Sequence, residues 1–166
     1  MKIMVGCDHG GFELKVKIVL HLRDQGFQVE DIGANSSKSV DYPSYAVKVG
    51  QAVAGGEVDR GILICGNGIR MCIATNRNTG VRAVGANEPY AAKMSRRHNN
   101  SNVLCLGGRL IGLGMALEIL EVWLKEPFEG GRHQRRIDLI DSLCRDHAVE
   151  AGAGLAADGC PRYSAE

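Results

Sequence analysis

No apolar run in this chain approaches the roughly 20 residues that cross a bilayer, so a membrane span is excluded. Net charge is nearly absent too. Lys and Arg number 20 against 19 Asp and Glu, leaving +1, which gives no global pull toward nucleic acid or a membrane surface. Six cysteines lie at 7, 65, 72, 105, 144 and 160, and none forms a Cys-x-x-Cys pair. A zinc ribbon and a thioredoxin motif are therefore missing. So are a dinucleotide fingerprint, a Walker loop and any internal repeat at a fixed period. Met1-Lys2-Ile3-Met4-Val5-Gly6 reads as a strand and not as a secretion signal, because the apolar run is too short and no cleavage pattern follows. Cysteines in apolar contexts are expected as reduced thiols in a cytoplasm.

What is present is 166 residues, 45% hydrophobic and 23% charged, the size and composition of one ordinary soluble domain. Short apolar runs alternate with amphipathic stretches. Strands are expected at 2–7, 27–32, 60–64, 81–85 and 102–106, and helices at 11–25, 43–54, 69–76, 89–97, 114–125 and 132–146. In the first helix Phe12, Val16, Val19 and Leu20 recur at helical spacing. This βαβα alternation predicts an α/β fold: a three-layer α/β/α sandwich, Rossmann-like and doubly wound, on a five-stranded parallel sheet. One domain is expected over 1–147. The tail 148–166, rich in Ala and Gly, lacks a periodic apolar face and is expected to be disordered.

Parallel sheets bind ligands at the carboxyl ends of their strands. Those ends carry Cys7-Asp8-His9, Cys65-Gly66-Asn67-Gly68 and Gly107-Gly108-Arg109. Cys65 closes an apolar strand just before a helix, where unpaired backbone N–H groups favour anions. Gly66 and Gly68 let a ligand approach those amides. A buried cysteine with turn glycines reads the same spacing without chemistry. Asp8 and His9 could meet sugar hydroxyls or a phosphate, or Asp8 could cap the following helix. Arg96-Arg97-His98-Asn99-Asn100 ends the fourth helix. Cations there are ordinary dipole partners, but His98 titrates near neutrality and could move protons. Arg132 and Arg136 share a face at the start of the last helix. They fit a phosphate, or form a solvated basic face. On the same helix Ile137, Ile140 and Cys144 form an apolar row suited to another subunit.

The pieces GCDHGGFELK, SVDYPSYA, DRGILICGNGI, RRHNNSNVLCLGGRLIG and FEGGRHQRRID, in this order, resemble the type B ribose-5-phosphate isomerases of the ribose/galactose-phosphate isomerase group. The resemblance covers Met1 to about residue 146. It implies an aldose–ketose isomerase that works without a metal or other cofactor. By resemblance, Cys65 removes the C2 proton and returns it at C1. His98 helps open the furanose ring, with Asp8 at the ring oxygen or hydroxyls. The amides of the loop Gly66, Asn67, Gly68, Ile69 and Arg70, with Asn99, stabilise the enediolate. His9, Arg132 and Arg136 hold the phosphate, and Tyr42 contacts the sugar. The group forms homodimers with shared sites, sometimes paired into tetramers. The resemblance implies neither nucleic-acid nor membrane partners.

The group's loop usually reads Cys-Gly-Thr-Gly-x-Gly. Asn67 stands here at the threonine position, and Arg70 at the last glycine. Asn67 can hydrogen-bond as a catalytic group but relays protons poorly, and Arg70 adds bulk beside the sugar chain. Six-carbon aldoses or their 6-phosphates of the allose type therefore stand as alternative substrates to ribose 5-phosphate. A non-catalytic sugar-phosphate-binding protein is a further alternative. A cysteine phosphatase fits less well, because its phosphate loop is one residue longer than the four between Cys65 and Arg70.

Overall fold

The computed structural model describes residues 1–152, with side chains as far as residue 143. Five strands and six helices follow in the order β1 (Lys2–Cys7), α1 (Phe12–Asp24), β2 (Gln28–Asp31), α2 (Tyr42–Ala54), β3 (Arg60–Cys65), α3 (Ile69–Thr75), β4 (Ala83–Gly85), α4 (Pro89–Asn99), β5 (Val103–Gly107), α5 (Leu113–Lys125) and α6 (Arg132–Gly152). All strand pairs are parallel, in the order β2-β1-β3-β5-β4. This is the expected α/β sandwich. The order reverses between β1 and β3, which are hydrogen-bonded neighbours with Cys7 opposite Ile64. A reversal of this kind opens a crevice at the carboxyl edge.

The strands divide their side chains between two apolar layers with a period of two. Ile3, Val5, Cys7, Ile62, Ile64, Leu104 and Leu106 pack against α1 and α5. Met4, Leu63, Cys65, Val103 and Cys105 pack against α2 and α3 on the other face. Cys65 therefore ends its strand on the α2/α3 side. Trp123 of α5 is fully buried, and its indole N–H donates to Ser101 Oγ at 2.8 Å.

Several details differ from the sequence reading. The α1 face that packs inward is Leu14, Lys15, Ile18, Val19 and Leu22, whereas Val16 and Leu20 are 39% and 56% exposed. Lys15 is 2% exposed because its ammonium reaches Asp31 on β2 at 2.7 Å. β4 begins at Ala83 rather than at residue 81, because Val81 N–H turns back to Asn78 O and Arg82 N–H is taken by the Asn102 side chain. The chain also divides into two compact units, Met1–Gly130 and the segment from Gly131 onward. Gly130 and Gly131 both take positive φ, 66° and 55°, at that division. In the second unit α6 runs to Gly152, so helix replaces the expected tail over 148–152. The rest of that tail lies outside the described residues.

Candidate active site

Cys65 is fully buried at the tip of β3. The backbone turns at once through Gly68, whose φ of 79° is left-handed and suits glycine. That turn aims the Gly68 N–H at Cys65 Sγ, 3.2 Å away. Such a donor stabilises a thiolate. Asn67 completes the turn. Its Oδ1 accepts from the Ile69 N–H at 3.1 Å and lies 3.9 Å from the Cys65 thiol. Asn67 is thus a turn-forming residue in contact with the proposed base, and the Ile69 amide is occupied within the loop.

Across the β1–β3 crevice, Asp8 is 1% exposed. Its Oδ1 accepts from the amides of Gly10 and Gly11 at 2.8 and 3.2 Å, while Oδ2 accepts no hydrogen bond from the described residues. Asp8 therefore shapes the turn before α1 rather than capping the helix, whose N-cap is Gly11. Gly11 lies against the Ile64 carbonyl so closely that a Cβ would collide with it. His9 Nδ1 accepts from the Val40 N–H at 3.4 Å. That bond leaves Nε2 as the protonated, donating nitrogen.

His9 lines a cavity of about 250 Å³ with Glu13, Ser37, Gly108 and Arg109. Arg109 follows β5. Its N–H bonds Gly66 O at 3.0 Å, and its side chain lies over Gly66, where a Cβ would meet Arg109 Cδ at 3.5 Å. The strand-end run containing Arg109 is visible in the sequence, but its guanidinium was not placed among the site residues. The signal was available: the first cation after a strand end in a parallel sheet.

Tyr42, the first residue of α2, is half-buried. The exposed Arg70 guanidinium sits over its ring, 5.2 Å from the centroid, a cation–π arrangement. One edge of the sheet thus collects Cys65, Gly66, Asn67, Gly68, Ile69 and Arg70 with Asp8, His9 and Arg109, and Tyr42 joins them through Arg70.

His98 and Asn99 are not in that group. They end α4, which runs back from the carboxyl end of β4 to the amino end of β5. Asn99 O accepts from Arg82 Nε at 3.1 Å, and Arg82 immediately precedes β4. The pair therefore sits at the amino edge of the sheet, roughly 15 Å of strand from Cys65 at ~3.3 Å per residue. His98 Nε2 lies 3.8 Å from Glu129 Oε2. Arg132 and Arg136 open α6 in the second unit, one turn apart and exposed.

The remaining thiols differ sharply. Burial pushes Cys7 up to about 11, and burial likewise raises Cys105 well above the ordinary range. Cys72 on α3 is lowered to about 7, first by a hydrogen bond with the Cys105 thiol and then by backbone and Asn76 donors that outweigh its burial.

A thiol held under a backbone donor, a buried carboxylate at the end of the neighbouring strand and an arginine after β5 gather polar and ionisable groups at one edge of the sheet. The comparisons agree. The Ribose/Galactose Isomerase family model matches residues 3–140, and the chain belongs to that family. It is 53% identical to ribose-5-phosphate isomerase B of Escherichia coli, over 86% of this chain and 95% of that protein. Ribose-5-phosphate isomerase B of Clostridium thermocellum superposes with a TM-score of 0.87 at 46% identity, covering 89% of this chain and 99% of the other. The Mycoplasma genitalium enzyme with bound ribulose-5-phosphate superposes with a TM-score of 0.84 at 40% identity, covering 87% and 97%.

Proposed function

We propose that this chain interconverts ribose 5-phosphate and ribulose 5-phosphate by proton transfer through an enediolate, without a metal. The observation that carries the reading is Cys65 Sγ under the Gly68 N–H at the β1–β3 crevice. The relatives named as ribose-5-phosphate isomerase B, and the one solved with ribulose-5-phosphate, support it.

In the forward direction His98 takes the O1 hydroxyl proton of the cyclic sugar, the bond from C1 to the ring oxygen breaks with Asp8 nearby, and the ring oxygen takes up the proton that His98 gives back. The Cys65 thiolate then removes the proton from C2. Electrons move into a C1–C2 double bond and the C1 carbonyl oxygen becomes negative. Loop amides and Asn99 hold that charge. The proton on O2 passes to O1 as Cys65 returns its own proton to C1, which leaves the ketone at C2. His9, through Nε2, and Arg132 and Arg136 hold the phosphate, and Tyr42 contacts the sugar. Because Cys65 and His98 occupy opposite edges of one sheet, the reading requires a homodimer in which each copy completes the other's site. Leu139, Ile140 and Leu143, exposed on α6, offer an apolar surface for such pairing; Cys144 of the expected row lies outside the described side chains. No described helix is long and apolar enough to cross a membrane. A base that must stay a thiol suits work in a reducing cytoplasm.

The test is a panel of five- and six-carbon aldoses, phosphorylated and free, assayed for ketose in the presence of a chelator. Ribose 5-phosphate should convert best. Cys65→Ser should lose at least about 100-fold in kcat, because a hydroxyl is a poor base at neutral pH, while still binding substrate by calorimetry. Faster turnover of allose 6-phosphate would move the assignment to six-carbon sugars. Binding without turnover of any aldose would make the chain a sugar-phosphate-binding protein.

A further inference from the structure

The turn between α4 and β5 is held by more charge than a helix end needs. Asn100 there has φ 45°, and it is the one non-glycine residue with positive φ among the described residues. Arg82 Nε donates to both Asn99 O and Asn100 O at 3.1 Å. Arg96 Nη1 donates to Asn100 Oδ1 at 2.9 Å and to Ser101 O at 2.6 Å. Below them, Ser101 Oγ joins Ser95 Oγ and the Trp123 indole at 2.8 Å each. Asn102 ties the Arg82 backbone to Gly80 through its side-chain amide.

Among the described residues, no carboxylate enters the hydrogen bonds of Arg82 or Arg96. Arg96 is 4% exposed, and its guanidinium is depressed to about 10, by burial first and then by Arg60 and Arg82. Crowding three cations at a turn is unfavourable in itself, and a glycine would end the helix without it. What the arrangement does is fix every carbonyl of the segment 99–101. A residue held off its common backbone region persists only when its surroundings over-determine it, and such positions gather at functional sites.

We propose that Arg82 and Arg96 are positioning residues for the isomerisation: by clamping the carbonyls of residues 99–101 they set the orientation of His98 and Asn99 toward the sugar. This rests on the reading that His98 and Asn99 serve the substrate. Neither arginine touches the substrate, so each acts through the turn. Arg97, the neighbour between Arg96 and His98, does different work, pairing with Glu126 and Glu129 at 3.3 and 2.6 Å.

Arg82→Gln removes the cation and the donor to both carbonyls at a half-buried position. In the intact dimer it should lower kcat about tenfold with KM changed less than about twofold, because misplacement by a fraction of an ångström suffices. Arg82→Lys, with its charge kept, should recover part of the loss, and it carries the same comparison if Arg82→Gln does not fold. The deciding measurement adds the Arg82 substitution to His98→Asn. If Arg82 acts through the turn, the further loss in that background shrinks to under about twofold. A full tenfold loss in the His98→Asn background, or an unchanged kcat in folded Arg82→Gln, overturns the clamp. Parental turnover in His98→Asn overturns the role of His98 itself, and the clamp with it.

Discussion

Arg70 is where the chain leaves the loop pattern of its family, and the structure shows where its side chain goes. The guanidinium lies over the Tyr42 ring, the residue assigned to the sugar. Arg70→Gly therefore uncovers Tyr42 and opens space beside the loop. Asn67→Thr in the same chain returns a hydroxyl next to Cys65 and removes the acceptor for the Ile69 amide. Both positions are exposed, Asn67 in the strand-end turn and Arg70 in the first turn of α3, and surface substitutions usually change stability by less than ~0.5 kcal/mol. The expected result is a shift of ~1–3 kcal/mol in the ratio of kcat/KM between five- and six-carbon aldose phosphates, with the melting temperature nearly unchanged. An unchanged ratio for every sugar pair would show that the stacked arginine does not face the substrate. At this scale the sequence was legible where a residue type and a strand end coincide, as at Asp8, His9 and Cys65. It named Asn67 as a hydrogen-bonding group but not its turn bond to the Ile69 amide, which depends on the backbone at Gly68, and it showed Arg109 at a strand end but not its place over Gly66, which depends on the pairing of β3 with β5.

At the scale of elements, α1 shows why helical periodicity alone misjudged a face. Apolar spacing favoured Phe12, Val16, Val19 and Leu20 and did not single out Lys15. In the fold Lys15 is enclosed beside Phe12, 5.5 Å from the ring centroid, and pairs with Asp31. That partner lies sixteen residues away on β2, and nothing in the helix itself announces it. Asp31 also accepts from the Gly33 N–H at 3.1 Å, so the pair fastens α1 to the end of β2 just behind the Asp8–His9 turn. Removing only the acid leaves a buried ammonium without a counter-charge. Asp31→Asn should therefore destabilise the protein by about 3 kcal/mol, the lower end of what breaking a buried pair costs. The double variant Lys15→Met with Asp31→Asn should regain most of that, since the charge that needed a partner is gone. Urea-unfolding midpoints measure both. A loss below about 1 kcal/mol in Asp31→Asn would mean that water reaches Lys15 and that the pair is a surface contact. Strand and helix boundaries elsewhere were readable to within about two residues, because turn residues mark them. The α6 end was not, because composition replaced periodicity as the guide past residue 147.

At the scale of the whole molecule, strand order decides which residues can meet. Every helix that links two parallel strands returns to the amino edge, so α4 must deliver His98 and Asn99 to the edge opposite Cys65. Side-chain reach cannot bridge roughly 15 Å of strand. If both residues act on one sugar, the sugar lies between two copies of the chain. The consequence is testable with two inactive variants. Cys65→Ser and His98→Asn should each lose about 100-fold in turnover as homodimers, leaving a small measurable residue. Co-expressed, half of the dimers are mixed, and each mixed dimer assembles one intact site from the Cys65 of one chain and the His98 of the other. Activity should return to roughly one quarter of the parental value for twofold symmetric sites. If Cys65 and His98 of the same chain served one site, every site in every mixture would carry a defect, and no activity would return. The same co-expression with both substitutions in one chain and none in the other leaves mixed dimers with one doubly defective chain. Each of their two sites then lacks one partner, so activity should come only from parental homodimers. A mixed dimer that kept one working site under that arrangement would place the whole catalytic set within a single chain.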